Sequence, residues 1–144
     1  MTQNTSDCEI VTSRLFTHAR ERIFDAFSDA DTLAKWWGPD GFRNTFYSFD
    51  FQSGGQWQFT MHSPDGHDFK NECVFKEVSK PSTIIIEHVC SPKFVLEIIL
   101  SDTEEGTLLS WRQRFETPKM RDKIATFAVN ANEENLDRLA SILA

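Results

Sequence analysis

From residue 43 onward the hydrophobic positions recur every second residue, the period of a strand with one buried face. Six such stretches follow one another, at 43–51, 56–62, 68–78, 83–89, 93–100 and 107–115. The links between them are Ser53-Gly54-Gly55, Pro64-Asp65-Gly66, Lys80-Pro81-Ser82, Ser91-Pro92 and Glu104-Glu105-Gly106, short enough to make neighbours antiparallel. Residues 9–16 alternate more loosely and predict a further strand. The period then lengthens: Thr17 is placed to cap a helix carrying Ile23, Phe24 and Phe27 on one side. A second short helix, over 29–37, carries Leu33, Trp36 and Trp37 until Gly38-Pro39 stops it. The chain closes on one long helix, with Thr117 as its cap, Pro118 at the first helical position and the pattern running to Leu143. At about 1.5 Å per residue it is a rod of roughly 37 Å, long enough to cross strands that span about 30 Å.

The link after Met61 fixes a register. A type I turn with Gly66 in the left-handed position pairs Ser63 with His67, so Met61 faces Phe69, Phe59 faces Asn71 and Trp57 faces Cys73. These odd positions share one side, which Phe75 extends, while Gln56, Gln58, Asp68, Lys70 and Lys76 lie on the other. The same parity turns Ile84, Ile86 and His88 inward, then Phe94, Leu96, Ile98 and Leu100, then Leu109, Trp111, Gln113 and Phe115. On the long helix, stepping back from Leu139 by 3.6 residues at a time passes Asn135, Asn132, Ala128 and Ala125. Two amides therefore sit at the centre of the face that meets the sheet, where each costs roughly 1–3 kcal/mol if left unpaired.

Composition narrows the functions open to such a fold. The chain has 144 residues, one domain's worth, of which 1–8 are expected to be a flexible start and 9–144 the folded domain. The net charge of −7 argues against nucleic acid and anionic membrane surfaces as partners. The longest apolar run, 94–100, is interrupted by Glu97 and falls far short of the roughly 20 residues of a spanning helix. The N-terminus lacks the basic start and apolar stretch of a signal peptide, and Cys8, Cys73 and Cys90 form no CxxC pair, which fits free thiols in the cytoplasm. Thirteen phenylalanines and four tryptophans demand burial. No metal site is expected: His62 and His67 fall on opposite faces of their hairpin, and His18 is on another element. No phosphate loop, dinucleotide fingerprint or Ser-His-Asp order is present, and no cofactor is expected.

"SRLF" followed by "ERIFDAFSDADTLAKWWGPDGF", then "FDFQSGGQWQFTM", "PDG", "EGTLLSWRQ" and "NLDRLASIL", resembles the START-like, helix-grip superfamily. The likeness is to its bacterial branch similar to the C-terminal domain of the activator of heat-shock protein 90 ATPase, and it covers residues 9–144. It implies an α+β fold in which a curved antiparallel sheet of about seven strands, in the order β-α-α-β6-α, grips a long C-terminal helix over a cavity. Two positions depart from the pattern. Gln52-Ser53 stands where many relatives have Arg-Pro, and Ala131-Asn132 where many have Gly-Trp. The second change removes a large indole and supplies an amide.

Three functions compete on these residues. The first is binding of a small hydrophobic or amphipathic molecule, lipid-like or polyketide-like. Its walls would be Trp37, Trp57, Phe59, Met61, Phe69, Phe75, Leu96, Ile98, Trp111, Phe115 and Ala128, with Asn71, Gln113, Asn132 and Asn135 as orienting groups. The second is a cyclase, aromatase or hydrolase in the same cavity, with His88 as the candidate acid or base and Glu87 or Glu133 behind it. The third, by analogy with the eukaryotic activator, is a chaperone-interacting module. An exposed sheet edge offers a route to a homodimer. Trp37 is expected at the cavity mouth, and the loop 38–42, with two glycines, as a lid.

Overall fold

The computed structural model of the chain describes residues 5–144. Of the start expected to be flexible, residues 1–4 lie outside the described residues, and Thr5–Cys8 forms a 3-10 turn. Seven strands follow the alternation read from the sequence: β1 (Glu9–Phe16), β2 (Arg43–Phe49), β3 (Gln56–His62), β4 (Asp68–Ser79), β5 (Thr83–His88), β6 (Phe94–Thr103) and β7 (Gly106–Phe115). They make one antiparallel sheet in the order β1-β7-β6-β5-β4-β3-β2, with β1 and β2 at its edges. Helices α1 (Arg20–Ser28) and α2 (Ala30–Trp36) lie in sequence between β1 and β2, and α3 (Pro118–Leu143) ends the chain. This is the helix-grip fold. Among the described residues, no helix is long and apolar enough to cross a membrane.

The turn after Met61 sets the expected register. The Ser63 N–H donates to the His67 carbonyl at 2.8 Å, and Met61–Phe69, Phe59–Asn71 and Trp57–Cys73 are cross-strand partners. Two bulges break the parity. In β4 the register shifts between Phe75 and Glu77, which makes Lys76 the extra residue and turns Val78 toward the core. In β2 the extra residue is Tyr47, whose hydroxyl lies 2.9 Å from that of Thr60 and covers it, so Thr60 is buried on the outer face. An extra residue on one strand of a pair bends that strand, which adds curvature to the sheet.

One expected cap is absent. Helix α1 begins at Arg20 with Ala19 in the capping position, not at Thr17. The chain at His18 is still held to β7, because the Thr107 hydroxyl donates to the His18 carbonyl at 2.7 Å. Helix α2 is capped by Asp29, which accepts from the Thr32 N–H at 2.9 Å, and α3 by Thr117, which accepts from the Met120 N–H at 3.1 Å.

The core divides along α3. Leu136, Leu139 and Leu143 sink into the main cluster with Trp36, Trp57, Phe75 and Ile98, whereas Ala128 with Met120, Ile124 and Ala125 rests on Ile10, Phe94 and Phe115 in a second cluster. Arg14 of β1 clips the helix from outside, at 2.9 Å to Glu133 and 2.7 Å to Asp137. Between the two clusters the inward residues of α3 are Asn132 and Asn135.

Trp36 pins the helical end of the main cluster. It has no exposed surface, its indole N–H donates to the Ala26 carbonyl at 3.0 Å, and Phe27 meets it edge-on at 4.9 Å. Trp36→Ala should lower unfolding free energy by about 3–5 kcal/mol, read from urea unfolding. A loss below about 1 kcal/mol would show that the tryptophan does not pin this end.

Candidate functional site

Between α3 and the sheet lies a cavity of about 240 Å³. It exists because the α3 residues that point straight into it are Ala128, Ala131 and Asn132, while Phe127 borders it from an exposed position and both ends of the helix are held by packing. At roughly 30 Å³ of liquid per water, the space equals about eight waters. Phe59 and Met61 of β3, Ile86 of β5, Phe94 and Leu96 of β6 and Trp111 of β7 supply its apolar walls.

Trp37, Gly38 and Pro39 close one side, and the turn expected as a lid is tied to α3 by hydrogen bonds. Arg138 reaches from α3 into this turn and donates to five backbone carbonyls: Trp37, Gly38 and Pro39 through Nη1, Lys35 and Phe42 through Nη2, all at 2.7–3.2 Å. Asn135 adds two bonds, accepting from the Gly38 N–H at 3.2 Å and donating to the Trp36 carbonyl at 2.9 Å. Gly38 has φ +99, and a Cβ there would stand 2.7 Å from Met61 Cε, so the glycine serves the turn and its close approach to β3, not a hinge. The Trp37 ring packs against Trp57 at 5.1 Å and Trp111 at 5.5 Å and stays partly exposed where it lines the cavity.

The two helix amides have different duties. Asn135 spends its oxygen and one N–H on the Trp36–Gly38 backbone. Asn132 Nδ2 donates to Gln113 Oε1 at 3.2 Å, which leaves Asn132 Oδ1 and Gln113 Nε2 without a protein partner among the described residues. The Trp111 ring also lines the wall, but its indole N–H is buried without a partner among the described residues, as is that of Trp57 in the solid core. The wall therefore offers one donor, Gln113 Nε2, and one acceptor, Asn132 Oδ1, on an otherwise apolar surface.

His88 lies at another part of the wall, buried, with its ring stacked on Phe94 at 4.6 Å. Its Nδ1 donates to the Pro92 carbonyl at 2.7 Å, and its Nε2 stands 2.7 Å from Asn71 Oδ1. Burial pushes its pKa below the ordinary imidazole value, and the Pro92 and Cys90 carbonyls oppose that shift. Glu133 is not behind it: that carboxylate bonds Thr12 and Arg14 at the β1 edge. Glu87 neighbours His88 in β5 and lines a groove on its far side.

Of the residues singled out in the sequence, the structure brings Trp37, Phe59, Met61, Asn71, His88, Leu96, Trp111, Gln113, Ala128, Asn132 and Asn135 to the cavity. Five lie elsewhere. Trp57, Phe75 and Ile98 face inward as parity requires, but they sit in the solid part of the core, Trp57 stacked on Phe59 at 4.3 Å. Phe115 belongs to the second cluster, and Phe69 is half exposed, beside Phe42. Parity says which face a side chain takes; it does not say how far along the strand the helix stops filling the space. Cys73, Ile86, Phe94 and Ile124 line the cavity too, each at a position the two periodicities turn inward, whereas Pro39 and Pro92 arrive on turns that no periodicity describes.

The sequence profile described as Activator of Hsp90 ATPase homolog 1-like protein matches residues 17–144. No curated protein matches the chain in sequence. Among solved structures, the chain is similar to a protein of Nitrosomonas europaea at 19% identity, covering 96% of this chain and 95% of that one with a TM-score of 0.89. It is similar to the AHSA1 protein of Silicibacter pomeroyi at 21% identity, over 94% and 96% of the two chains with a TM-score of 0.76. An AHSA1-like protein of Aeromonas hydrophila matches at 18% identity, over 94% and 91%, with a TM-score of 0.74. At these identities the structural likenesses speak for the fold.

The clamp makes a prediction. Arg138→Met keeps the stem and removes the guanidinium, so stability should fall by about 2–3 kcal/mol and amide exchange should accelerate at Gly38 and Asp40 while β5–β7 stay protected. Unchanged exchange in that turn would show that the guanidinium does not hold it.

Proposed function

The chain belongs to the Activator of Hsp90 ATPase homolog 1-like family of the START-like superfamily, and from that premise we propose that it reversibly binds a small, mostly apolar molecule bearing one or two polar groups. The observation that carries this reading is the cavity between α3 and the sheet, whose apolar wall is interrupted by the Gln113–Asn132 pair. Sparse, oriented polar groups on an apolar wall are what small-molecule pockets use.

Volume sets the ligand class. A space of about 240 Å³ lies just below the roughly 300–1,000 Å³ typical of ligand pockets. That size favours a single-ring or short-chain compound over a long-chain lipid or a multi-ring polyketide. Gln113 Nε2 would donate to a carbonyl or hydroxyl oxygen, and Asn132 Oδ1 would accept from a hydroxyl or amide. The Trp37–Pro39 wall, tied to α3, suits a preformed site, in which little binding energy is spent on ordering the protein.

Native mass spectrometry and thermal shift against single-ring and short-chain carbonyl and hydroxyl compounds test the proposal. At least one class should bind and raise Tm. Asn132→Leu should weaken that binding about tenfold, the worth of one hydrogen bond near 1.4 kcal/mol, and leave Tm of the free protein within a few degrees. Asn135→Leu should instead lower Tm, because it unties the Trp36–Gly38 backbone. No shift across the panel, or undiminished binding by Asn132→Leu, would contradict the reading.

A further inference from the structure

Cys90, in the turn after β5, places its Sγ 3.5 Å from His88 Nε2 and accepts the Glu72 N–H at 3.4 Å. The sulfur also lies within a long donor contact of the Glu72 carbonyl at 4.0 Å, so His88 Nε2 is the nearer acceptor for the thiol proton. The bonding around His88 is inconsistent with a neutral ring standing alone. Pro92 presents a carbonyl, so Nδ1 must carry a hydrogen, and a neutral imidazole then has a bare lone pair on Nε2. Asn71 turns its own oxygen to that lone pair at 2.7 Å, because its Nδ2 is committed to the Phe69 carbonyl at 3.0 Å. Flipping the amide only moves the conflict, setting its oxygen against the Phe69 carbonyl. A second proton on the ring resolves it, and the group positioned to supply one is the Cys90 thiol. The resulting thiolate keeps the Glu72 N–H, and both imidazolium N–H groups find oxygen acceptors.

We propose that Cys90 and His88 form a thiolate–imidazolium pair, and that Cys90 is thereby a nucleophile for soft electrophiles of the α,β-unsaturated carbonyl type. The thiolate sulfur bonds the β-carbon, the carbon–carbon π pair moves toward the carbonyl as an enolate, and the proton on His88 Nε2 returns to the α-carbon. The sum is addition of S–H across the double bond, with no oxidant or reductant. The electrophile has access: Cys90 borders a surface groove of about 620 Å³ that shares Phe59 and Asn71 with the cavity. Lys70 and Glu72 line that groove, while Glu87, Lys93, Arg114 and Glu116 line the groove on the other side of His88. Burial opposes a lone imidazolium, but a proton moved 3.5 Å within the pair leaves the site with no net charge. Cys73 provides the contrast: burial first, and the neighbouring Cys90 second, push its thiol up to about 12, so it stays protonated and unreactive.

Limiting N-ethylmaleimide, itself an α,β-unsaturated carbonyl compound, tests the pair when followed by peptide mass mapping from about pH 5 to pH 9, a span that covers free imidazole and free thiol. Lower-pKa thiols are intrinsically weaker nucleophiles, so the advantage is largest on the acid side. Near pH 5.5 Cys90 should react about tenfold or more faster than Cys8, which is also partly exposed, and His88→Gln should remove that advantage. A Cys90 rate equal to that of Cys8, rising only through the free-thiol range near 8.5, would overturn the proposal. Should His88→Gln fail to fold, the thiolate absorbance of the wild-type protein minus that of Cys90→Ser gives the same answer. A step below about pH 7 supports the pair, and a step only above about pH 8 overturns it.

Discussion

A rigid rod can hold a hollow open only if it is fixed at both ends and small in the middle, and α3 meets both conditions. Leu136, Leu139 and Leu143 anchor one end in the main core, Ala128 and Ile124 rest the other on Phe94 and Phe115, and Ala131 with Asn132 spans the gap. Filling that gap with one large side chain would turn the cavity into ordinary core. The cost of leaving it open falls on the apolar walls, which forgo contacts they would otherwise make. Two features then gain their meaning: the amides that would be out of place in a filled core, and a wall that Arg138 and Asn135 tie down by binding the Lys35–Phe42 backbone seven times.

The division of labour between Asn132 and Asn135 is the clearest link from fold to function. The two residues are one helical turn apart and both buried, yet Asn135 is used up by the turn that ends α2 while Asn132 keeps an oxygen facing the cavity side. One amide builds the site and the other furnishes it. The tryptophans differ by position. Trp36 bonds the Ala26 carbonyl and packs in the core, whereas the Trp111 ring lines the cavity. The doublet at 36–37 is thus a plug followed by a wall.

Much of the fold could be read from local pattern. The turn at Ser63–His67 and the alternation in β3 and β4 gave the same register independently, and a single face of α3 emerged from its 3.6-residue period. What escaped was three-dimensional. The bulges at Tyr47 and Lys76 change a strand's parity without a turn signal, and the Thr107–His18 bond delays α1 against a plausible threonine cap. The outline of the cavity was only half legible for the same reason. Parity placed Trp57, Phe75 and Ile98 on the correct face, but their distance from the hollow depends on where α3 presses down. The pairing of Cys90 with His88 escaped as well, since a turn residue two positions past a strand has no assigned face.

Four indole N–H groups make the central claim directly observable, because ¹⁵N-edited spectra resolve them one by one. On saturation with a compound that binds the protein, the Trp111 indole, whose ring lines the cavity, should shift, while the Trp36 indole, bonded to Ala26 away from the cavity, should stay in place. A bound compound that leaves the Trp111 signal unmoved would contradict a ligand cavity between α3 and the sheet.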